Sequence, residues 1–457
     1  MGTLLLGGSL GLGGSLQSAS AQEAAAPEAT EPAAASSEAA ETPAAEPAAR
    51  PADYKRIPGA TTDPKTVKAH AKEAAEALRG SNFGQAEQDL VRRYFIKHVM
   101  AGMTLPASDP GQYPRWREQI AKALGGVGGS ERHRFLRGEI FKAASALAED
   151  PAYSPACRYN AILVLGDLND TEVQRSGANF QAAVPYTPAR ALLLKLVNGD
   201  QPQAIQLAAM IGLQRHARLL AAAGQSDENV LTAARKVLGT KDAPANGTSD
   251  GLLWMQKIAV DILASGGKGA DAGLFEPILS DATKPVMIRC AAAEALGRLD
   301  YTGVTNLNAA ALGQGLGQLA VAACQQEIQN LQKRADEVGV EGDRSAFRTE
   351  GGRSEEGDRR REGEGDEADK QAPENPVVKQ TRRMLKYQLL SVSQGLGGLL
   401  KANVDAKSKT SLTSLKTQVD AVLKTLEPAP DLLPTMLLEK LSQPAVQLEK
   451  TVIAGIK

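Results

Sequence analysis

Four histidines and three cysteines are the side chains here best equipped to hold a metal or act as nucleophiles. They are His70, His98, His133 and His216, and Cys157, Cys290 and Cys324. A zinc centre draws its ligands from short spacings, such as two histidines four apart on one helix face or two cysteines three apart in a turn. No two of these histidines have such spacing, and each reads as an exposed or half-buried helix residue. The cysteines are odd in number, far apart and free of any CxxC or CxxCH pattern. That disfavours zinc, dithiol redox chemistry and c-type haem attachment. Each sits among Ala and Leu and reads as a small buried thiol, with a single disulfide as the minority alternative. No GxSxG or Walker sequence occurs, and no carboxylate pair stands out among the many Asp and Glu. Gly-rich GGVGGS at 125–130 lacks a following GK[ST] and a preceding strand, so it reads as a turn between helices rather than a phosphate cradle. Two N-x-T sequons, Asn169 and Asn246, are short enough to arise by chance. The expectation is a chain that is not an enzyme and uses no cofactor or metal.

The elements that would position any site are helices. Hydrophobic residues make up 42% of the 457, yet aromatics are only 4%, so the apolar fraction is mostly Ala and Leu. Both are strong helix formers. No region sustains the alternation of β-branched and aromatic residues that a strand needs, so the fold class is expected to be all-α. With 52 basic and 53 acidic residues the net charge is −1, which gives no electrostatic case for nucleic acid.

Residues 1–21 read as an export signal. TLLLGGSLGLGGSL is apolar but too short to span a bilayer, and Ala19-Ser20-Ala21 is a small-residue cleavage site. No Lys or Arg precedes the run, and no cysteine follows it to carry a lipoprotein anchor. No other stretch could form a stable membrane span. Residues 22–62, rich in Ala, Glu and Pro, read as a disordered tether, since they carry too little apolar area to offset chain entropy. An N-terminal helical cap fills 63–149, with helices over about 64–79, 84–101, 113–124 and 131–149. Asp63 and Ser130 are the N-caps, with Pro64 in the first turn. Val91, Tyr94, Phe95 and Val99 form the apolar stripe of the second helix. Residues 337–376 are mixed-charge and Gly-rich and read as a disordered insertion. A C-terminal helical segment occupies 377–457. QGLG occurs at 314–317 and again at 394–397, in the long helices on either side of the insertion. The expectation is that these helices cross antiparallel at that pair.

Between cap and insertion the chain writes one phrase twice. DPAYSPACRYNAILVLGDL begins at Asp150 and DATKPVMIRCAAAEALGRL begins at Asp281. They share Asp150/Asp281, Arg158/Arg289, Ala161/Ala292, Leu165/Leu296, Gly166/Gly297 and Leu168/Leu299. Cys157, Ala161, Leu165 and Leu168 lie on one helix face, as do Ile288, Ala292, Leu296 and Leu299. Gly166 and Gly297 fall late in each helix, where a side chain would crowd the next unit or where the helix is ending. The 131-residue separation, divided by three, is about 44, the length of a two-helix repeat unit. Intervening pairs are 188–200 with 202–222, 227–240 with 251–267, and 270–282 with the second phrase.

This pattern, D-x7-R-x2-A-x3-L-G-x-L, resembles the second helix of a HEAT repeat, most closely at 288–297; Tyr159 and Asn160 depart from it at 157–166. The resemblance implies an α-α superhelix over 150–336, a HEAT-like solenoid in which the turn Asp and helix Arg help fix each unit. Such a stack leaves no place for a β-sheet between 140 and 300 and requires Asp150 and Asp281 in like surroundings. In that family the second helices line the usual contact surface. The candidate partner-binding residues are therefore Arg158, Tyr159, Asn160, Gln206, Arg215 and Arg289; each could equally be structural, and Arg158 and Arg289 read first as stabilising their turns. Trp116 and Trp254 are expected in the core or in helix packing rather than as a ligand platform. The function expected is a non-catalytic scaffold or protein–protein interaction module, exported to the periplasm or cell envelope, its partner an unidentified envelope or periplasmic protein. The alternative is a chromophore lyase-like protein or enzyme-accessory subunit that handles a tetrapyrrole.

Overall fold

The computed structural model describes residues 54–58, 63–105, 111–176, 179–245, 247–346, 375–427 and 433–455. The expected export signal, most of the tether, residues 347–374 of the insertion and Asn246 lie outside them. The elements described belong to one compact unit, residues 49–457. It is all-α, as composition predicts.

The N-terminal helices are α1 (Pro64–Arg79), α2 (Gln85–Tyr94), α3 (Gln112–Gly126) and α4 (Glu131–Glu149). Asp63 accepts from the Thr66 amide at 2.9 Å and Ser130 from that of His133 at 3.2 Å, satisfying amides that a helix start leaves open. α2 runs on into a π-helical turn, Phe95–Met100, whose wider backbone turns Phe95, His98, Val99 and Met100 all inward.

Helix pairs follow. α4 packs on α5 (Pro155–Asp167), α6 (Thr187–Asn198) on α7 (Gln203–Ala222), and α8 (Glu228–Gly239) on α9 (Ser249–Gly266). A 3₁₀ turn, Gly269–Leu274, precedes α10 (Glu276–Ser280), which packs on α11 (Val286–Arg298). The long α12 (Ala309–Ala346) packs on α13 (Pro376–Leu399), and α14 (Ala406–Thr425) and α15 (Pro434–Gly455) close around them. The second member of each pair packs on the next, so α5, α7, α9, α11 and α13 form one continuous row.

Glycine sets how closely the row packs at two crossings. A Cβ on Gly166 would lie 2.6 Å from the Gly212 Cα, and one on Gly398 would lie 2.7 Å from the Gly297 Cα. Of the two reasons for a late glycine, close approach of the next unit is the one found.

Two expectations need correction. First, strands do occur between 140 and 300. β1 (Asn169–Thr171) pairs antiparallel with β4 (Val184–Pro185), and β2 (Gln174–Ser176) with β3 (Asn179–Gln181). These short ladders lie within the α5–α6 connection, while α5 packs directly on α7, so they lengthen a loop rather than add a layer. Second, α12 continues beyond 336, the expected end, to Ala346. The QGLG expectation holds: α12 and α13 pack together, and a Cβ on Gly395 would lie 3.2 Å from Leu316 of the other copy. The same glycines also admit other neighbours, a Cβ on Gly395 meeting the Ala293 carbonyl of α11 at 2.6 Å and those on Gly315 and Gly317 meeting Leu279 at 2.9 Å and Val452 at 2.8 Å.

Candidate binding surface

The two matching turns have matching surroundings. Asp150 and Asp281 each follow a helix end, with φ, ψ of −84°, 110° and −82°, 100°. Each accepts at 2.9 Å from the amide two residues on, Ala152 or Thr283. Both carboxyls are held below the usual range, Asp150 first by the Lys55 ammonium at 2.8 Å and Asp281 first by the Thr283 hydroxyl. Neither guanidinium bonds the aspartate. Arg158 Nε donates to the Ala148 carbonyl at 3.0 Å, and Arg289 Nε to that of Leu279 at 3.1 Å, in each case two residues before the Asp. Both arginines are buried, and desolvation lowers their pKa. They close carbonyls that the first helix leaves open at its end, where a cation is also favoured by the helix dipole.

Other candidate residues do similar work. Gln206, in the first turn of α7, donates to the Gly199 carbonyl at 3.0 Å, just past the end of α6. Arg215 bonds the Gly166 carbonyl and Asn169 Oδ1, both at 2.9 Å, tying α7 to α5 and the strand connection. Asn169, the first sequon, is buried there and donates to Glu172 at 2.7 Å. Asn160 donates back to the Ala156 carbonyl of its own helix at 2.9 Å. Tyr159 is half-buried against the core, and burial raises its pKa against the opposing Arg117 charge. All six lie on α5, α7 or α11. The structure places them in three helices of the row without gathering them into one patch.

A different constellation does run across the row. Asp261 of α9 accepts from Gln214 of α7 at 2.7 Å and faces Lys257 at 3.4 Å, Arg218 at 3.6 Å and Arg298 of α11 at 3.9 Å. Arg298 also reaches Glu294 at 3.6 Å, and Glu294 accepts from Ser391 of α13 at 2.9 Å. Asp261, Glu294 and Ser391 are thus consecutive points on neighbouring helices. Two helical turns earlier, on the same faces, stand Trp254, Met287 and Met384. Their exposures are 51%, 52% and 48%, so three equivalent positions on α9, α11 and α13 present large apolar side chains to solvent. Trp254 and Met287 share a cavity of about 170 Å³ with Leu253, Lys257 and Ile288. Exposed Tyr387 and Leu390 continue the patch along α13. Burial pushes the Tyr387 hydroxyl up to about 12, with Glu294 adding to the shift.

Trp254 therefore departs from its expected packing role. Trp116 keeps that role: a Cβ on Gly102 would meet its ring at 3.0 Å, and Tyr113 stacks edge-on at 5.4 Å.

Of the residues suited to chemistry, two meet that sequence spacing did not connect. The α1–α2 packing brings His70 Nδ1 within 2.5 Å of His98 Nε2, with the rings stacked. One proton can bridge that pair. Among the described residues, no group of three or more His, Cys, Asp or Glu is placed to hold a metal ion. Cys157, Cys290 and Cys324 are free and buried, and burial pushes each thiol up to about 12. Against the expectation of exposed or half-buried histidines, His98, His133 and His216 are buried, and His216 bonds the Gly166 carbonyl at 3.1 Å. Burial, with Arg215 and Arg190 nearby, lowers its pKa to about 3. No helix among the described residues is long and apolar enough to cross a membrane. No protein-family model matches the chain, and no curated protein matches its sequence.

Proposed function

We propose that this chain is a non-catalytic interaction module, a HEAT-like α-solenoid exported to the periplasm or cell envelope, that holds a protein partner across α9, α11 and α13. The observation that carries the binding role is the alignment of Trp254, Met287 and Met384 at equivalent exposed positions of three successive helices. Soluble chains rarely leave large apolar side chains in register across neighbouring elements unless another surface covers them. The like surroundings of Asp150 and Asp281, and the continuous row of second helices, support the HEAT-like reading. Export rests on the apolar run and the small-residue cleavage site within residues 1–21.

Site-specific photo-crosslinking in native envelope tests the reading. A crosslinker at Met287 is expected to capture a reproducible protein, while one at Lys236, exposed on α8 in the other layer, does not. Indiscriminate capture at both positions, or none at Met287, refutes it.

A further inference from the structure

Charge around the apolar patch is lopsided. Lys379, Arg383 and Lys386 are exposed on α13, Arg383 one turn before Tyr387 and Lys386 one turn before Leu390, and none forms an ion pair with a described residue. The acids near the patch on α9 and α11 are already engaged: Asp261 faces Lys257, Arg218 and Arg298, and Glu294 faces Arg298 and Ser391. Asp250, beside Trp254, is the exposed acid lining the cavity. A chain with a net charge of −1 thus gathers uncompensated cations against its apolar stripe.

We propose that this surface docks an acidic amphipathic protein segment. The inference rests on the interaction-module reading and deepens it. The segment lays carboxylates against Lys379, Arg383 and Lys386 and seats one apolar side chain between Trp254 and Met287. Three features select a peptide of this chemistry. The cavity of about 170 Å³ suits one large aliphatic side chain. A rigid aromatic wall and adaptable methionines are the materials of helix-accepting grooves. The free cations attract carboxylates over several ångströms and repel a basic segment, which sets specificity and association rate more than affinity. A membrane surface would use the cations but would have no need of a cavity for one side chain.

The experiment uses the full chain and a fluorescent helical peptide of Glu, Ala and Leu, with leucine at every third or fourth position. Anisotropy reports binding. The expected result is saturable binding that weakens tenfold or more in Trp254→Ala and in the triple reversal Lys379→Glu, Arg383→Glu, Lys386→Glu. All four are exposed positions, and unchanged helical circular dichroism confirms folding. A peptide with Lys in place of Glu is expected not to bind. Equal binding of both peptides, or no binding of the acidic one, overturns the proposal. So does cosedimentation with phosphatidylglycerol vesicles that the same reversal abolishes, which would assign the patch to a lipid surface. Concentration-dependent dimers lost in Trp254→Ala would assign it to a second copy. Binding that appears only after deleting 350–372 would assign it to the chain's own acidic run, Glu362–Asp369. If the peptide fails while Met287 still crosslinks a defined protein, the interaction module stands and its acidic partner does not.

Discussion

Lowering the pH from 7 to 5 is expected to destabilise the fold through His216. Its Nε2 donates to the Gly166 carbonyl, so the neutral ring carries its proton there. Nδ1 is buried and has no hydrogen-bond partner among the described residues. A second proton would leave a charged donor without an acceptor beside Arg215 and Arg190, and the pKa falls from 6.5 to about 3. A depressed folded-state pKa fixes the sign. The unfolded chain takes up a proton as pH falls through 6.5 and the folded chain does not. The associated stability is therefore full above 6.5 and drains away as pH falls toward about 3. Linkage puts the penalty at about 2 kcal/mol at pH 5 and about 0.2 kcal/mol at pH 7. At pH 5 the folded imidazole is neutral for any folded pKa below about 4, so the figure depends almost wholly on the unfolded value. The assay is urea unfolding at both pH values for the native chain and for His216→Gln, whose amide can still donate but does not titrate. The variant loses stability at both pH values, but the native chain is expected to lose about 2 kcal/mol more than it does between pH 7 and pH 5. Carboxylates elsewhere titrate alike in both proteins and cancel in the difference. Equal losses would mean that His216 gains its proton in the fold as readily as in water, and the argument from burial would fail.

Four further outcomes follow from the packing. Gly166→Ala puts a methyl against the Gly212 backbone and is expected to cost about 1–3 kcal/mol in urea unfolding. Gly138→Ala in α4, with open space around it, is expected to stabilise by about 0.5–1 kcal/mol, and the same sign for both would refute the close crossing of α5 and α7. Arg289→Met keeps the buried stem but strips the Leu279 carbonyl of its donor, so a loss of about 1–3 kcal/mol is expected; a midpoint unchanged from the native one would refute a capping role. The three thiols, buried and held near a pKa of 12, are expected to resist a thiol-specific disulfide reagent in the native chain and to react once it is unfolded. Rapid native labelling at any of them would contradict their placement.

Helices were legible in this sequence where local chemistry decides them. Asp63, Pro64 and Ser130 mark starts because caps act within one turn, and the Ala and Leu periodicity sets the lengths. The repeated phrase was legible because each turn is fixed by residues close in the chain, Asp150 with Ala152 and Arg158 with Ala148. The strand connection was not. β1 to β4 are two or three residues each, β4 being Val184–Pro185 alone, and are held partly by tertiary bonds such as Arg215 to Asn169. Alternation over so few residues cannot be told from loop. The π-helical turn, which buries His98, leaves no pattern of its own, so the His70–His98 meeting depends on a packing that spacing does not reveal.

The proposed binding surface illustrates the same division more sharply. Second-helix residues near the turns drew attention because they break the repeat pattern or carry charge, and most of them are spent on the unit's own closure. Arg158, Gln206 and Arg289 all sit in the first turn of a second helix, and all three close carbonyls in or just past the last turn of the helix before it. That position is committed by architecture, because an antiparallel helix pair brings the start of one helix beside the end of the other. A residue free to bind must stand elsewhere on the helix, on the side away from its pair. Trp254 and Met287 meet that condition, while Met384 lines a cavity with Glu327, Asn330, Lys333 and Arg334 of its paired helix α12. The equivalence of the three positions emerges only when helices from different parts of the chain are set in register by the Asp261, Glu294 and Ser391 contacts. Single-helix periodicity places an exposed Trp or Met on a face. Only the packing between helices brings such residues together.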